Sequence, residues 1–361
     1  MEEEDALDMN ATVTESQEYI DYGNLIERIV YVQSFAVPML FAVIFVIGLI
    51  GNGILIYAVV RNKTLRTKPN VYIVSVAIGD FLLVLFSVPF TSVVYTTDEW
   101  LFGEAVCKLN ESMQTLSLGI SIFSLTALSG DRFVAIVFPM SVYKASSLRK
   151  TIIVSTLIWV LSIALACPDL VSAHVKFKNI LVCDLYPISW GPSYGRFRPI
   201  VKFVIFFFVP LVIIATFYVI IAVVLLRKSD FGSHENTAMR RQMDSRKKVA
   251  KITLSFVVIF VFCWLPRHVF VIGHHYDLFD YNMFWHFFQI TGFCLTFVYS
   301  SVNPFVLYFL NEEFRKYFEH YLFGCCCRSR RLSVEWLADQ RPSYATYLRS
   351  LSGNISLRDR A

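Results

Sequence analysis

Seven stretches of this chain are each long and apolar enough to cross a lipid bilayer, and that property excludes most folds. A helix spans about 30 Å of hydrocarbon with about 20 predominantly apolar residues. Runs of this kind cover roughly 34–60, 71–95, 116–138, 152–168, 200–226, 249–272 and 283–310. In lipid each segment must satisfy its own backbone hydrogen bonds, which demands helices, and the runs are far too long for the alternating strands of a barrel. The composition agrees: 56% hydrophobic and only 17% charged is too apolar for an ordinary soluble chain. The expected fold is all-α, a seven-transmembrane helix bundle over 34–310 behind an acidic N-terminal tail over 1–33.

Basic residues set the orientation. The connection after the first segment carries Arg61, Lys63, Arg66 and Lys68; the third and fourth are joined through Lys144, Arg149 and Lys150, and the fifth and sixth through Arg227, Lys228, Arg240, Arg241 and Arg246-Lys247-Lys248. The positive-inside rule makes these connections cytoplasmic, so the N-terminus is expected outside and the C-terminus inside a multi-pass protein of the plasma membrane. The acidic start has no basic region and no short apolar run, so it is not a signal peptide, and the first helix is expected to act as its own insertion signal. This topology accounts for the net charge of +5, with basic residues against anionic lipid heads, and leaves no case for a nucleic-acid partner. Of the sequons at Asn10, Asn62, Asn110 and Asn354, topology keeps Asn10 for glycosylation; Asn110 falls at the start of the third helix.

Among eight cysteines, Cys107 at the outer end of the third helix and Cys183 in the long loop before the fifth lie in oxidising space. They are expected to pair and pin the loop over the bundle mouth, two free thiols being the alternative. Past the seventh helix, Phe314, Phe318, Tyr321 and Leu322 share one helical face that excludes Arg315 and Lys316, so 311–323 reads as an amphipathic helix on the inner membrane surface. Cys325, Cys326 and Cys327 then suit palmitoylation; zinc is the alternative, with poor ligand spacing. The cytoplasmic tail over 324–361 reads as disordered and phosphorylatable.

Polar residues within the apolar runs mark the bundle interior, because an ionisable group facing lipid is costly. They are Asn52, Asp80, Gln114, Ser121, Asn303 and the adjacent Asp131 and Arg132. Asn52, Asp80 and Asn303 lie at similar depths on helices 1, 2 and 7, and one hydrogen-bonded cluster is expected. Structural glue explains Asn52, whereas a carboxylate such as Asp80 suits cation binding or a change of protonation. Arg132 follows Cys107 by 25 residues, enough at about 1.5 Å per residue to reach the cytoplasmic boundary. Pro89, Pro210, Pro266 and Pro304 interrupt four helices and permit kinks.

Gly51-Asn52, Val76-Ala-Ile-Gly-Asp80, Cys107, Asp131-Arg132-Phe133, Trp159, Pro210 with Tyr218, Cys263-Trp-Leu-Pro266 and Asn303-Pro304, each on its proper helix, together resemble the rhodopsin-like (class A) G-protein-coupled receptors over about residues 35–323. The resemblance implies that Arg132 rests against Asp131 and turns toward a heterotrimeric G protein on activation, with Tyr218, Asn303, Pro304 and Tyr308 in the same switch. It makes Ile122, Pro210, Phe260, Trp264 and Pro266 the activation core, with Trp264 as the floor of a ligand pocket. Asp80, Ser121 and Asn303 become a sodium pocket, and no other cofactor is implied. Arrestin and receptor kinases are the implied partners of the tail.

Three departures from that pattern stand out. The sixth helix has Arg246-Lys247-Lys248 where an acid often holds the third-helix arginine. Tyr308 comes one place late, which moves a side chain about 100° around a helix and leaves Leu307 in the usual switch position. Tyr299 replaces a common asparagine near the sodium pocket. Bombesin-type and endothelin-type peptide receptors share the late tyrosine. The stretch from Ser121 to Arg132, Arg246-Lys-Lys-Val-Ala250, Tyr281-Asn-Met-Phe-Trp-His286, and Asn303-Pro-Phe-Val-Leu-Tyr308 with Phe314-Arg-Lys316 resemble the arthropod CCHamide neuropeptide receptors.

That likeness implies an extracellular amidated peptide and a G protein of the phospholipase-activating, calcium type, with a different peptide or an endothelin-like ligand as the alternative. Gln114 stands where amine receptors of the family carry an aspartate, and Phe297 where opsins carry the retinal lysine. A loop over 171–195, tied at Cys183, and an acidic N-terminus make a broad vestibule suited to a peptide. Thr91, Gln114, Lys202, Arg267, His268, His274 and Phe293 are expected to line the cavity, Gln114 bonding either a peptide amide or another helix. A transporter or channel would need a polar path or an inverted repeat of broken helices, and neither is visible. No nucleophile–base constellation, His-x-x-x-His pair or phosphate loop supports an enzyme.

Overall fold

The structure, a computed structural model, describes the backbone of residues 2–97, 99–138, 147–230 and 237–323 and the side chains of 31–97, 99–138, 147–177, 179–226 and 243–322. Among the described residues, seven helices are long and apolar enough to cross a membrane. They are α1 (Glu2–Arg61, spanning with Tyr31–Arg61), α2 (Lys68–Thr97), α3 (Gly103–Val137), α4 (Leu148–Ser172), α5 (Ile188–Leu226), α6 (Met243–His275) and α7 (Met283–Leu310). The segment expected as an N-terminal tail is helical and continuous with the first span. A short amphipathic helix α8 (Glu312–Phe323) forms a unit of its own. The side chain of Asn10, the cysteines 325–327 and the tail from 324 lie outside the described residues.

Several helices run past the ends of their apolar runs, α5 among them, which starts at Ile188 rather than 200 and so carries Arg198. α3 starts at Gly103 rather than 116, because Asn110, Ser112 and Thr115 in its outer third are buried in protein and never meet lipid. α4 continues through Pro168 to Ser172 and so carries Asp169 into the bundle. α2 breaks at Ser87, two residues before Pro89, and the Ser87 hydroxyl donates to the Asn110 carbonyl of α3 at 3.2 Å. This ties the bent outer half of α2 to α3.

α3 is the central helix and packs on α2, α4, α5 and α6. It approaches α4 tightly at Gly119, where a Cβ would lie 2.9 Å from Ser162 Oγ and 3.2 Å from Phe206, so glycine suits this spacing. On the other flank Val37, Phe41, Val84, Cys294 and Phe297 join α1, α2 and α7 in one cluster. Leu157, Val160, Val219 and Phe262 point outward, the apolar surface that lipid covers.

Above the bundle, strands β1 (His174–Lys178) and β2 (Ile180–Asp184) pair antiparallel, with Val175 opposite Cys183. Asn179 turns the hairpin with a left-handed φ of 61°, a conformation asparagine tolerates. Cys183 is disulfide-bonded to Cys107, their Cα atoms 5.7 Å apart, and Trp100 N–H donates to the Leu181 carbonyl at 2.8 Å. The hairpin is thereby fixed to the outer end of α3.

Candidate functional site

A cavity of about 780 Å³, counting the space open at its mouth, lies between α3, α5 and α6 and is walled by Leu185 and Tyr186 just after the hairpin. Gln114, Lys202, Trp264, Arg267 and His268 line it. The other three expected residues do not. Thr91 is buried and its hydroxyl donates to Asn110 Oδ1 at 3.4 Å, which also packs that sequon asparagine inside the protein. His274 stacks on Phe270, with 5.7 Å between ring centroids, and His275 faces the cavity in its place. Phe293 belongs to the α1–α7 aromatic cluster, and the Arg267 guanidinium sits 4.8 Å over its ring. A one-residue step around α6 separates His274 from His275, whereas Thr91 and Phe293 sit on α2 and α7, which do not line this cavity.

Charge in the cavity wall is organised by a residue outside the expected set. Asp169 Oδ1 accepts from Arg198 at 2.6 Å, and Oδ2 accepts from Lys202 at 2.9 Å and from the Thr115 hydroxyl. Lys202 Nζ also donates to Thr115 Oγ1 at 2.8 Å. A carboxylate that is 1% exposed needs such partners, because an unpaired buried charge is strongly destabilising. Glu111 accepts from Gln114 Nε2 at 3.4 Å, one turn along α3, so Gln114 bonds within its own helix rather than to another. Arg267 has no carboxylate partner among the described residues. Glu111 and Arg198 were legible as residues three before Gln114 and four before Lys202, on the same helix faces. Asp169 was hidden one position beyond the proline at which the apolar run stops.

Below the cavity, Phe260 stacks near Trp264 at 6.1 Å and meets Tyr299 edge-on at 5.5 Å; Ile122 and Pro210 are buried as well. Pro266 lies inside α6 and Pro304 inside α7. Asp80, wholly buried, accepts from Asn303 Nδ2 at 2.6 Å and from the Ser117 hydroxyl at 3.3 Å. Asn52 makes no direct bond to this pair, unlike the single expected cluster: its Nδ2 donates to the carbonyls of Gly48 and Ser300, at 3.0 and 2.8 Å. It therefore staples α1 to α7. The hydroxyls of Ser121 and Ser300 also lie at the Asp80 carboxylate, and Tyr299 lies beside Ser121 and Asn303.

At the inner end Arg132 is largely buried and its Nη2 pairs with Asp131. Tyr218 donates to the Ala250 carbonyl of α6 at 2.8 Å. Arg246, in place of the acid common in the family, donates to the Ala135 carbonyl at 2.7 Å. Ala135 lies in the last turn of α3, where carbonyls lack helical partners and the helix dipole favours a cation. A narrow inner pocket is lined by Tyr72, Leu128, Tyr299, Asn303 and Leu307, while Tyr308 meets Phe309 edge-on.

Residues 51–307 match the family described as 7 transmembrane receptor (rhodopsin family). The chain is 40% identical over 334 residues to the neuropeptide CCHamide-1 receptor of Drosophila melanogaster, covering 88% of this chain and 65% of that one. It is 34% identical over 335 residues to a bombesin receptor of Bombina orientalis, covering 89% and 84%. It thus spans just under two thirds of the length of the Drosophila relative. Both relatives are receptors and not enzymes. With seven spans and a hairpin disulfide-bonded to α3 over an outer cavity, this multi-pass membrane protein belongs to the rhodopsin-like class A G-protein-coupled receptors, in the group of the CCHamide and bombesin receptors.

Proposed function

We propose that the receptor binds an amidated neuropeptide of the CCHamide or bombesin kind in its outer cavity and activates a heterotrimeric G protein, of the phospholipase-activating type, from its inner face. The carrying observation is the paired chemistry of the cavity wall, where Arg267 supplies only donors and the Glu111 carboxylate only acceptors. A terminal amide offers one acceptor and two donors and satisfies both. The mechanism is a population shift: the peptide binds the active state better, α6 pivots at Pro266, and the inner face opens around Arg132. Cells expressing the chain are expected to release calcium on addition of synthetic CCHamide-1. Silence to that peptide and to a panel of amidated neuropeptides, including disulfide-cyclised ones, would reject the reading.

The oxygens around Asp80 fit the sodium ion that the family implies. Its carboxylate, Ser121 Oγ, Asn303 Oδ1 and Tyr299 Oη are hard donors, the kind a hard cation takes. Bound there, the ion would supply a counter-charge to a buried carboxylate and favour the packing of the resting state.

Arg246 takes over the restraint that an acid provides elsewhere in the family. By capping α3 it holds Met243 and Ala250, at the inner end of α6, against Ile136 of α3 and Ile221 of α5. Arg246→Ala is expected to raise peptide-independent nucleotide exchange severalfold, normalised to receptor number. Basal exchange equal to wild type would remove the latch.

A further inference from the structure

The wall of the outer cavity carries more positive charge than a neutral peptide terminus needs. Arg198, Lys202 and Arg267 line it, against the single carboxylate of Glu111. On those four groups alone the wall has an excess of two cations and would favour an anion, since hydrogen bonds between ionised partners are about twice as strong as neutral ones. Asp169 alters this balance from behind the wall. It does not line the cavity, yet it pairs with Arg198 at 2.6 Å and with Lys202 at 2.9 Å, and Thr115 closes the group. Counting it, three cations face two carboxylates and the excess falls to one. It also directs donors away from the ligand: two of the three on Lys202 go to Asp169 and Thr115.

We propose that Asp169 sets the preference of the cavity for an amidated peptide terminus over a free carboxylate. This rests on the amidated-peptide reading above. Asp169 acts through Arg198 and Lys202 and is a positioning residue; it does not touch the peptide. A purely structural role, clamping α3, α4 and α5 together, would weaken both forms of a peptide alike. A charge-setting role changes their ratio.

The test uses CCHamide-1 synthesised with a C-terminal amide and with a free acid, and measures both dissociation constants on the full chain in membranes. Asp169→Asn keeps the shape and removes the charge. It is expected to shift the amide-to-acid affinity ratio toward the acid by about tenfold or more, the effect of a unit charge several Å away at an effective dielectric of about 20. Arg198→Gln removes a cation and is expected to move the ratio the opposite way. A ratio that stays at the wild-type value in both variants overturns the proposal, as does an equal loss of both forms in Asp169→Asn. If that variant fails to reach the membrane, the ratio in Arg198→Gln decides alone. A wild-type chain that binds neither form rejects the peptide reading itself, an outcome distinct from an unmoved ratio.

Discussion

Replacing Arg132 with alanine is expected to abolish peptide-stimulated nucleotide exchange, a loss of at least about tenfold, while leaving peptide affinity intact when no G protein is present. Arg132 lies 18 residues beyond Gln114 on α3, about 27 Å along the helix axis, so its loss does not reach the outer cavity. Its Nη2 is held by Asp131, the nearest acid in the structure, and its Nε has no partner among the described residues. A guanidinium with free donors at the inner face is equipped to bond backbone carbonyls of an inserted partner. Because coupling between sites is reciprocal, the affinity gain that a G protein confers on the peptide is expected to vanish in the variant. Exchange at the wild-type rate in this variant would remove the role assigned to Arg132.

Replacing Cys107 with serine is expected to weaken peptide binding by about ten- to a hundredfold, corresponding to roughly 1.4–2.8 kcal/mol. The bond closes a span of 76 residues, for which the chain-entropy relation gives about 4–5 kcal/mol in a soluble chain. Here α3 and α4 are already fixed by the membrane, so less of that reaches global stability. The effect falls on the loop. Without the bond, the Trp100–Leu181 hydrogen bond and the packing of Val175 beside Trp100 remain as ties, and the wall formed by Leu185 and Tyr186 must be ordered when the peptide binds. Cys183→Ser and the double variant are expected to show the same loss, since each removes one and the same bond. Affinity unchanged at equal surface number in all three would reject this account.

The sequence exposed the scaffold more fully than the site. Apolar length located the seven spans, because lipid leaves the backbone no alternative to a helix. It failed at the outer ends of α3 and α5 and at the end of α4, where polar residues carry the helix on and hydropathy loses its meaning. Arg132 beside Asp131 was legible since adjacent ionised groups in an apolar run have few places to go. Thr91, His274 and Phe293 were expected in the cavity and are packed elsewhere, since side-chain direction depends on bends such as the break in α2 at Ser87.

By itself, then, the sequence determined the number of spans, the places of Cys107 and Arg132 toward opposite sides of the membrane on α3, and the expected disulfide, all of which follow from the cost of placing polar groups or free thiols in a given medium. Only the tertiary structure decided that Asp169, Arg198, Lys202 and Thr115 form one ionic group, that Asn52 bonds the Ser300 carbonyl rather than Asp80, and that Arg246 caps α3. Each of those joins residues on different helices. Their meeting depends on how far the helices extend, bend and rotate against one another, which no spacing along the chain records.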